Sequence, residues 1–403
     1  MDVTSRSRNR LNAAKEGIGA HLDEFIALRH EIHQHPELAF NEHRTSRLVA
    51  SKLTSWGYDV TTGIAETGVV ATLARGRGQR RLAIRADMDA LPIEEVTGLP
   101  YASRNKGVMH ACGHDGHTTI LLAAARYLAE EGNFSGTLDL VFQPAEEIGA
   151  GARKMISEGL FEQFPADGVF GLHNWPGIPT GQFGFVSGPA MASVDKAVIR
   201  VIGEGGHGAE PHNAVDPIVT AASIITTLQS VVSRNVDPRE MAVVTVGSIH
   251  GGEASNVIPG SVELQLTIRS YSEDVRRRLQ IRIPALARAQ AESFGAVAEV
   301  DYRLGFPSVV NPTAETAFAR KVAVDALGES SIDQTFLPRT ASEDFAFMLQ
   351  AKPGSYLFVG NGDSAPLHSA EYDFNDQIIA PAALYWVRLA ETFLKETDGE
   401  ADE

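Results

Sequence analysis

Between Met109 and Thr118 the chain reads Met-His-Ala-Cys-Gly-His-Asp-Gly-His-Thr, which puts His110, Cys112, His114, Asp115 and His117 within eight residues. Cys112 is the only cysteine in the sequence. Thiolate, imidazole and carboxylate are the groups that bind transition metals or act as nucleophile and base. A lone cysteine is ordinarily a small, buried apolar residue, but three neighbouring histidines favour a ligand. In an extended segment alternate side chains share a face, so Cys112 and His114 are expected to reach the same ion pair. His110 and His117 read instead as supporting or helix-capping groups.

Other segments supply the rest of a hydrolytic site. Glu146 and Glu147 follow the apolar run Leu138 to Phe142 and precede glycines. Adjacent carboxylates point in different directions, so one can bind a metal while the other serves as general base. Taken alone, such a pair is as readily a solvated pair at a helix start. His173 ends the run Val169 to Leu172, and His368 follows Pro366 and Leu367. Asp87 and Asp89 close another strand-like run, where loop carboxylates of α/β sheets collect around ligands, and Asp89 is suited to orienting a ligating imidazole. These residues favour a metal-dependent hydrolase. No G-x-S-x-G elbow is present, and a thiol-protease role for Cys112 would leave the glutamate pair idle.

The elements that must position these groups follow from hydrophobic period. Residues 13–56 read as mostly helical, with a break at His35-Pro36-Glu37, where proline removes a donor. Short strands are expected over 69–73, 81–85 and 137–142, and a helix over 118–130. Alternating strands and helices imply an α/β sheet covered by helices on both faces. After Ser187-Gly188-Pro189 the order becomes strand 196–202, helix 216–234, strands 242–249 and 260–270, helix 274–294 and strand 296–303. That β-α-β-β-α-β order suits a compact split-βαβ insert. The expected domains are therefore 1–188 with 308–403, and an inserted 189–307.

At 403 residues the chain exceeds what one core usually serves. A formal charge of −16 argues against nucleic-acid or anionic-membrane partners, which require a basic face. One cysteine excludes an intrachain disulfide framework and suits a reducing, cytoplasmic setting. No secretory leader or membrane-spanning run is read in the sequence. The first dozen residues and the acidic end, 395–403, read as frayed tails.

From about Leu28 to Leu389 the chain resembles the M20 metallopeptidase superfamily, in particular its branch of N-acyl-amino-acid amidohydrolases, which includes hippurate and indole-acetyl-amino-acid hydrolases. The likeness is carried by Arg29-His30-Glu31-Ile32-His33-Gln34-His35-Pro36-Glu37-Leu38, by Arg85-Ala86-Asp87-Met88-Asp89-Ala90-Leu91-Pro92 and by the Cys112 segment. Gln143-Pro144-Ala145-Glu146-Glu147, Gly205-Gly206-His207-Gly208-Ala209, Ala254 to Pro259 and Ser342-Glu343-Asp344-Phe345 add to it.

The resemblance implies a catalytic domain with two divalent ions and a smaller ferredoxin-like lid domain through which the protein forms a homodimer. It assigns Cys112, His114, Glu147, His173 and His368 as ligands, and Glu146 as base and later proton donor to the leaving amine. Asp89 supports the site, His207 donates to the oxyanion, and Asn256 and Arg269 bind substrate. Arg269 reads equally well as a surface strand residue. Asp87 stands where many members of the superfamily place a ligating His, and His114 where many place a bridging Asp. A mixed S/N/O shell suits Zn, Mn, Co or Ni.

The implied reaction is hydrolysis of an N-acyl amino acid to a carboxylic acid and a free amino acid by a metal-activated water. Deacetylation of an N-acetyl-diaminopimelate-type compound and dipeptide cleavage are the alternatives on the same fold. A non-catalytic protein that binds amino-acid conjugates is the alternative from another class.

Overall fold

The structure, a computed structural model, describes residues 3–395. The chain divides into two compact units: Met1–Gly188, Asn311–Leu337 and Phe347–Glu403 form one, and Pro189–Val310 with Pro338–Ala346 form the other.

The first unit is built on a seven-stranded mixed sheet. Its order is Asp59–Ile64, Gly68–Arg75, Gly136–Gln143, Arg81–Asp87, Gly168–Pro176, Gly354–Gly362 and Phe183–Gly184. The four strands from Gly136–Gln143 to Gly354–Gly362 run parallel to one another. Their centres are near-continuous apolar runs, such as Leu82-Ala83-Ile84, Leu140-Val141-Phe142 and Leu357-Phe358-Val359, all buried. That is the pattern of strands covered on both sides. The strand Gly354–Gly362 was not anticipated, although its apolar run was visible.

Helix His114–Glu130 is buried over nearly its whole length: its middle, Ile120 to Ala125, is apolar all round, and its first turn buries His114, Asp115 and His117. It begins four residues before the expected start, so Cys112 to His114 is not an extended segment. Gly113 takes φ 85 as the chain turns into the helix. A Cβ at Gly113 would lie 2.3 Å from Asn174 Nδ2, so glycine is required there on both counts.

The expected helical stretch forms two helices, Leu22–Gln34 and His43–Ser55. The first residues differ from expectation. Val3–Gly19 is a helix rather than a frayed tail, because Leu11, Ala14 and Ile18 pack on the main core. Of the expected acidic tail, all beyond Lys395 lies outside the described residues.

The second unit follows the chain order Ser193–Ile202, Pro217–Asn235, Ala242–His250, Ser261–Ser270, Glu273–Ser293 and Val297–Leu304, or β-α-β-β-α-β. Its four-stranded sheet is antiparallel throughout, with Ser261–Ser270 and Ser193–Ile202 in the centre. Alternation along these strands sends Val262, Leu264, Leu266 and Ile268 into one core with Ile199, Ile224, Leu228, Leu279 and Ile283. Asp216 caps its helix by accepting from the Ile218 and Val219 amides, with Pro217 in the first turn. Among the described residues no helix is long and apolar enough to cross a membrane.

One buried ion pair fastens this unit's second helix to its sheet. The Asp195 carboxylate accepts from Arg276 Nε and Nη2, Tyr302 Oη and the Gly305 amide at 2.6–3.1 Å. Removing a buried partner leaves the other charge uncompensated. Asp195→Ala is therefore expected to destabilise the second unit by about 3–5 kcal/mol, read as a lower urea midpoint. An unchanged midpoint would contradict the assignment.

Candidate metal centre

The parallel strands deliver chemically active side chains at their C-terminal ends, where open α/β sheets bind ligands. Asp87 ends one strand and Asp89 follows it. Glu146 and Glu147 follow Gln143, the end of the next. His173 and Asn174 lie near the end of Gly168–Pro176, and His368 lies in the segment after Gly354–Gly362. Cys112 and His114 arrive on the turn and first residue of helix His114–Glu130.

The hydrogen bonds fix which imidazole nitrogen faces inward. His114 Nδ1 lies 3.2 Å from Asp89 Oδ1, and His173 Nδ1 lies 2.6 Å from the Asn174 carbonyl. Carboxylate and carbonyl oxygens accept, so in each ring Nδ1 donates and Nε2 is the nitrogen turned inward. His173 Nε2 points at Cys112 Sγ, 3.4 Å away. His114 Nε2 faces Glu147 Oε1 at 3.8 Å, and His368 Nε2 lies 3.5 Å from Glu147 Oε2.

Donor atoms of Cys112, His114 and His173 fall within 4.8 Å of one another, as do those of Cys112, Glu147 and His368, and those of His114, Glu146 and Glu147. The structure thus brings together all five expected ligands and the expected base.

His114 Nε2 and Glu147 Oε1 are buried without a hydrogen-bond partner. Leaving two such atoms facing each other is costly, and a cation between them removes the cost. The S/N/O donor set matches borderline divalent metals. Asp87, His114 and His117 also approach one another, but His117 is committed elsewhere. Its Nδ1 donates to Asp87 at 2.6 Å and its Nε2 accepts from the Asn174 amide at 2.9 Å.

Electrostatics separate a metal site from a thiol-nucleophile site. Burial raises the Cys112 thiol pKa, and the neighbouring Glu147, Glu146 and Asp87 raise it further. Burial lowers His173, with His117 acting the same way. This pair is held neutral, whereas a nucleophilic cysteine needs a stabilised thiolate. Burial opposes charge on His114, yet Asp87, Asp89 and Glu147 outweigh it and raise its pKa to about 10. Burial also pushes Glu147 up to about 7. Protons therefore occupy, in part, the positions that a metal's charge would take.

Asn174 and Tyr372 were not singled out in the sequence. Asn174 Nδ2 donates to the Cys112 carbonyl at 2.7 Å, and its Oδ1 accepts from Tyr372 Oη at 2.6 Å. Together they close over Gly113. Asn174 sits beside His173, but Tyr372 comes from 198 residues away in sequence, and no local pattern marks it.

The remaining expected residues belong to the second unit. His207 and Asn256 are brought together there, since the ribbon Gly206–His207 pairs with Val257–Ile258 and the Gly208 amide donates to the Asn256 carbonyl at 2.8 Å. His207 is exposed, and its Nδ1 accepts from the Ala209 amide at 3.1 Å, which leaves Nε2 as the protonated donor. Arg269 Nη1 donates to Ser342 Oγ at 2.6 Å and to the Thr340 carbonyl at 3.2 Å, so it ties down the segment Pro338–Ala346.

Residues 83–392 match the peptidase family M20/M25/M40. A hippurate hydrolase from Campylobacter jejuni is 44% identical over 92% of this chain and 97% of its own length. An N-acetyl-L-cysteine deacetylase from Bacillus subtilis is 40% identical over 93% of this chain and 89% of its own. Among solved structures, the Bacillus subtilis YXEP protein, a dinuclear metal binding peptidase from the M20 family, superposes with a TM-score of 0.80. It is 33% identical and covers 93% of this chain and 99% of its own.

Asp89 joins two parts of the centre, because its other oxygen accepts from the Glu147 amide at 3.0 Å. Asp89→Ala is expected to lower metal affinity by about 10- to 100-fold, measured by competition with a chromogenic chelator. Native affinity in the variant would show that the tether to His114 is dispensable.

Proposed function

The chain belongs to peptidase family M20/M25/M40, and from that premise we propose that it hydrolyses N-acyl amino acids to a carboxylic acid and a free amino acid. The observation that carries this reading is the convergence of Cys112, His114, Glu147, His173 and His368 beside the buried carboxylate of Glu146. The two relatives are named for hippurate and N-acetyl-L-cysteine, each an amino acid acylated on nitrogen, which supports that substrate class.

In this reading the five ligands hold two divalent ions, drawn from Mn, Zn, Co or Ni. When bound, they would lower the pKa of the attacking water and polarise the amide carbonyl. Glu146 removes a proton from the attacking water and returns it to the departing nitrogen, so the C–N bond breaks with a neutral amine leaving. Asp89 keeps the His114 ring in its ligating tautomer. His207 donates from Nε2 to the developing oxyanion. Asn256 and Arg269 serve substrate binding, Arg269 by holding the segment Pro338–Ala346. The second unit is assigned the role of ferredoxin-like lid and dimerisation domain of a cytoplasmic homodimer.

Release of free amino acid is measured from hippurate, N-acetyl amino acids, an indole-acetyl conjugate and N-acetyl-diaminopimelate, after chelation and after adding back each metal. Metal-restored cleavage of one amide class is expected. Glu146→Ala should lower kcat by about a hundredfold to ten-thousandfold while metal stoichiometry is retained. His207→Ala should lower kcat by about a hundredfold or more. Activity that survives full chelation, or an active Glu146→Ala, would overturn the mechanism.

A further inference from the structure

The turn that presents Glu146 is held in an unfavourable shape. Ala145, immediately before it, has φ 53, a left-handed conformation that costs a residue with a Cβ about 1–2 kcal/mol. Such a conformation persists only where its surroundings enforce it. On one side the Ala145 carbonyl accepts from the Ala150 and Gly151 amides at 3.2 and 3.1 Å, and the Glu146 carbonyl accepts from Gly149 at 2.7 Å. Gly151 presses close, since a Cβ there would lie 1.7 Å from the Pro144 carbonyl oxygen. On the other side the Ala145 amide donates at 2.9 Å to Glu42 Oε1.

Glu42 is fully buried, which is expensive for a carboxylate. It occupies the N-cap position of helix His43–Ser55 but makes no side-chain cap. That service comes from Glu37, which accepts from the Arg44 and Thr45 amides at 2.8–3.0 Å. Glu42 is thereby free to turn inward, where Oε1 also accepts from the Phe40 amide at 3.1 Å and Oε2 from Thr67 Oγ1 at 2.5 Å. The same connector reaches the Asp89 turn, because the Ala90 amide donates to the Glu37 carbonyl at 2.9 Å. The Glu147 amide is held by Asp89. The backbone is thus gripped by a buried carboxylate on each side of Glu146.

We propose that Glu42 is a positioning residue for the general base, acting through the Ala145 amide to hold Glu146 in its working orientation. This rests on the proposed role of Glu146 as base. The effect belongs to turnover, because none of the five ligands bonds to Glu42. Gln at position 42 keeps the whole arrangement: its carboxamide oxygen accepts from both amides, and its NH2 donates to the Thr67 hydroxyl.

The test compares Glu42→Ala, Glu42→Asp, Glu42→Gln and Val49→Ala in the metal-loaded protein. Val49 is a buried core residue of the same helix and supplies a control for general destabilisation. Two readouts are taken: hydrogen exchange of peptides covering 144–151, and kcat and KM with metal stoichiometry. Glu42→Ala is expected to speed exchange at Ala145 to Glu147 and to lower kcat by about 10- to 100-fold, with KM and metal content within about twofold. Glu42→Asp, which withdraws the carboxylate by one methylene, decides the matter if the Ala variant does not fold. Glu42→Gln should recover most of the activity and the native exchange rate, and Val49→Ala should lower Tm without the loss in kcat.

Native kcat in the Ala or Asp variant, a loss that tracks metal content, or an equal loss in Val49→Ala would overturn the proposal. If the native enzyme cleaves no amide, the proposed function falls. The exchange data then still decide whether Glu42 holds the turn, and unchanged exchange overturns the positioning role by itself.

Discussion

The centre depends on one constraint, that buried imidazoles must be tied at Nδ1 before Nε2 can point at anything. Asp89 ties His114, and the Asn174 carbonyl ties His173. Each tether removes a tautomer and a ring rotation, and turns Nε2 toward a thiol or a carboxylate. The same tethers explain the electrostatics. Four carboxylates, Asp87, Asp89, Glu146 and Glu147, crowd this end of the sheet; burial pushes Glu147 up to about 7, while His114 and Arg85 hold Asp87 in its charged form. In the proposed reading a cation neutralises this density of acceptors, and Cys112 and His173 ligate it once the thiol gives up its proton.

The fold serves this constraint. Parallel strands end together, so Asp89, Glu146–Glu147 and His173 arrive at one end of the sheet although each lies on a separate segment. Gly113 permits the turn that starts helix His114–Glu130 beneath Asn174 and Tyr372. Ala145 stores local strain next to Glu146 and is supported from both sides. Rigid positioning is what makes a weak base and an ordinary water useful, since small displacements at the reacting atoms are costly to rate.

Much of this was legible in the sequence, for physical reasons that can be stated. The donors Cys112, His114 and the glutamate pair announce themselves by residue type in short segments, and the β-α-β-β-α-β order shows in changes of hydrophobic period. His173 and His368 needed the resemblance, because a lone histidine carries no pattern. What local reading missed was geometry made at a distance. The early start of helix His114–Glu130 turns on one glycine at positive φ. Tyr372 is far from Asn174 in the chain, and the tie from Arg269 to Ser342 crosses 73 residues. Glu42 looks like any polar residue before a helix, and only the capping by Glu37 reveals that it is free for other use.

The most direct measurement is X-ray absorption at the zinc edge of the protein reconstituted with two equivalents of zinc. The expected first shell holds nitrogen and oxygen scatterers with a sulfur at about 2.3 Å, and the sulfur is lost in Cys112→Ser. A shell of nitrogen and oxygen alone in the native protein, unchanged by that substitution, would contradict the central claim that Cys112 and the tethered imidazoles hold the metal.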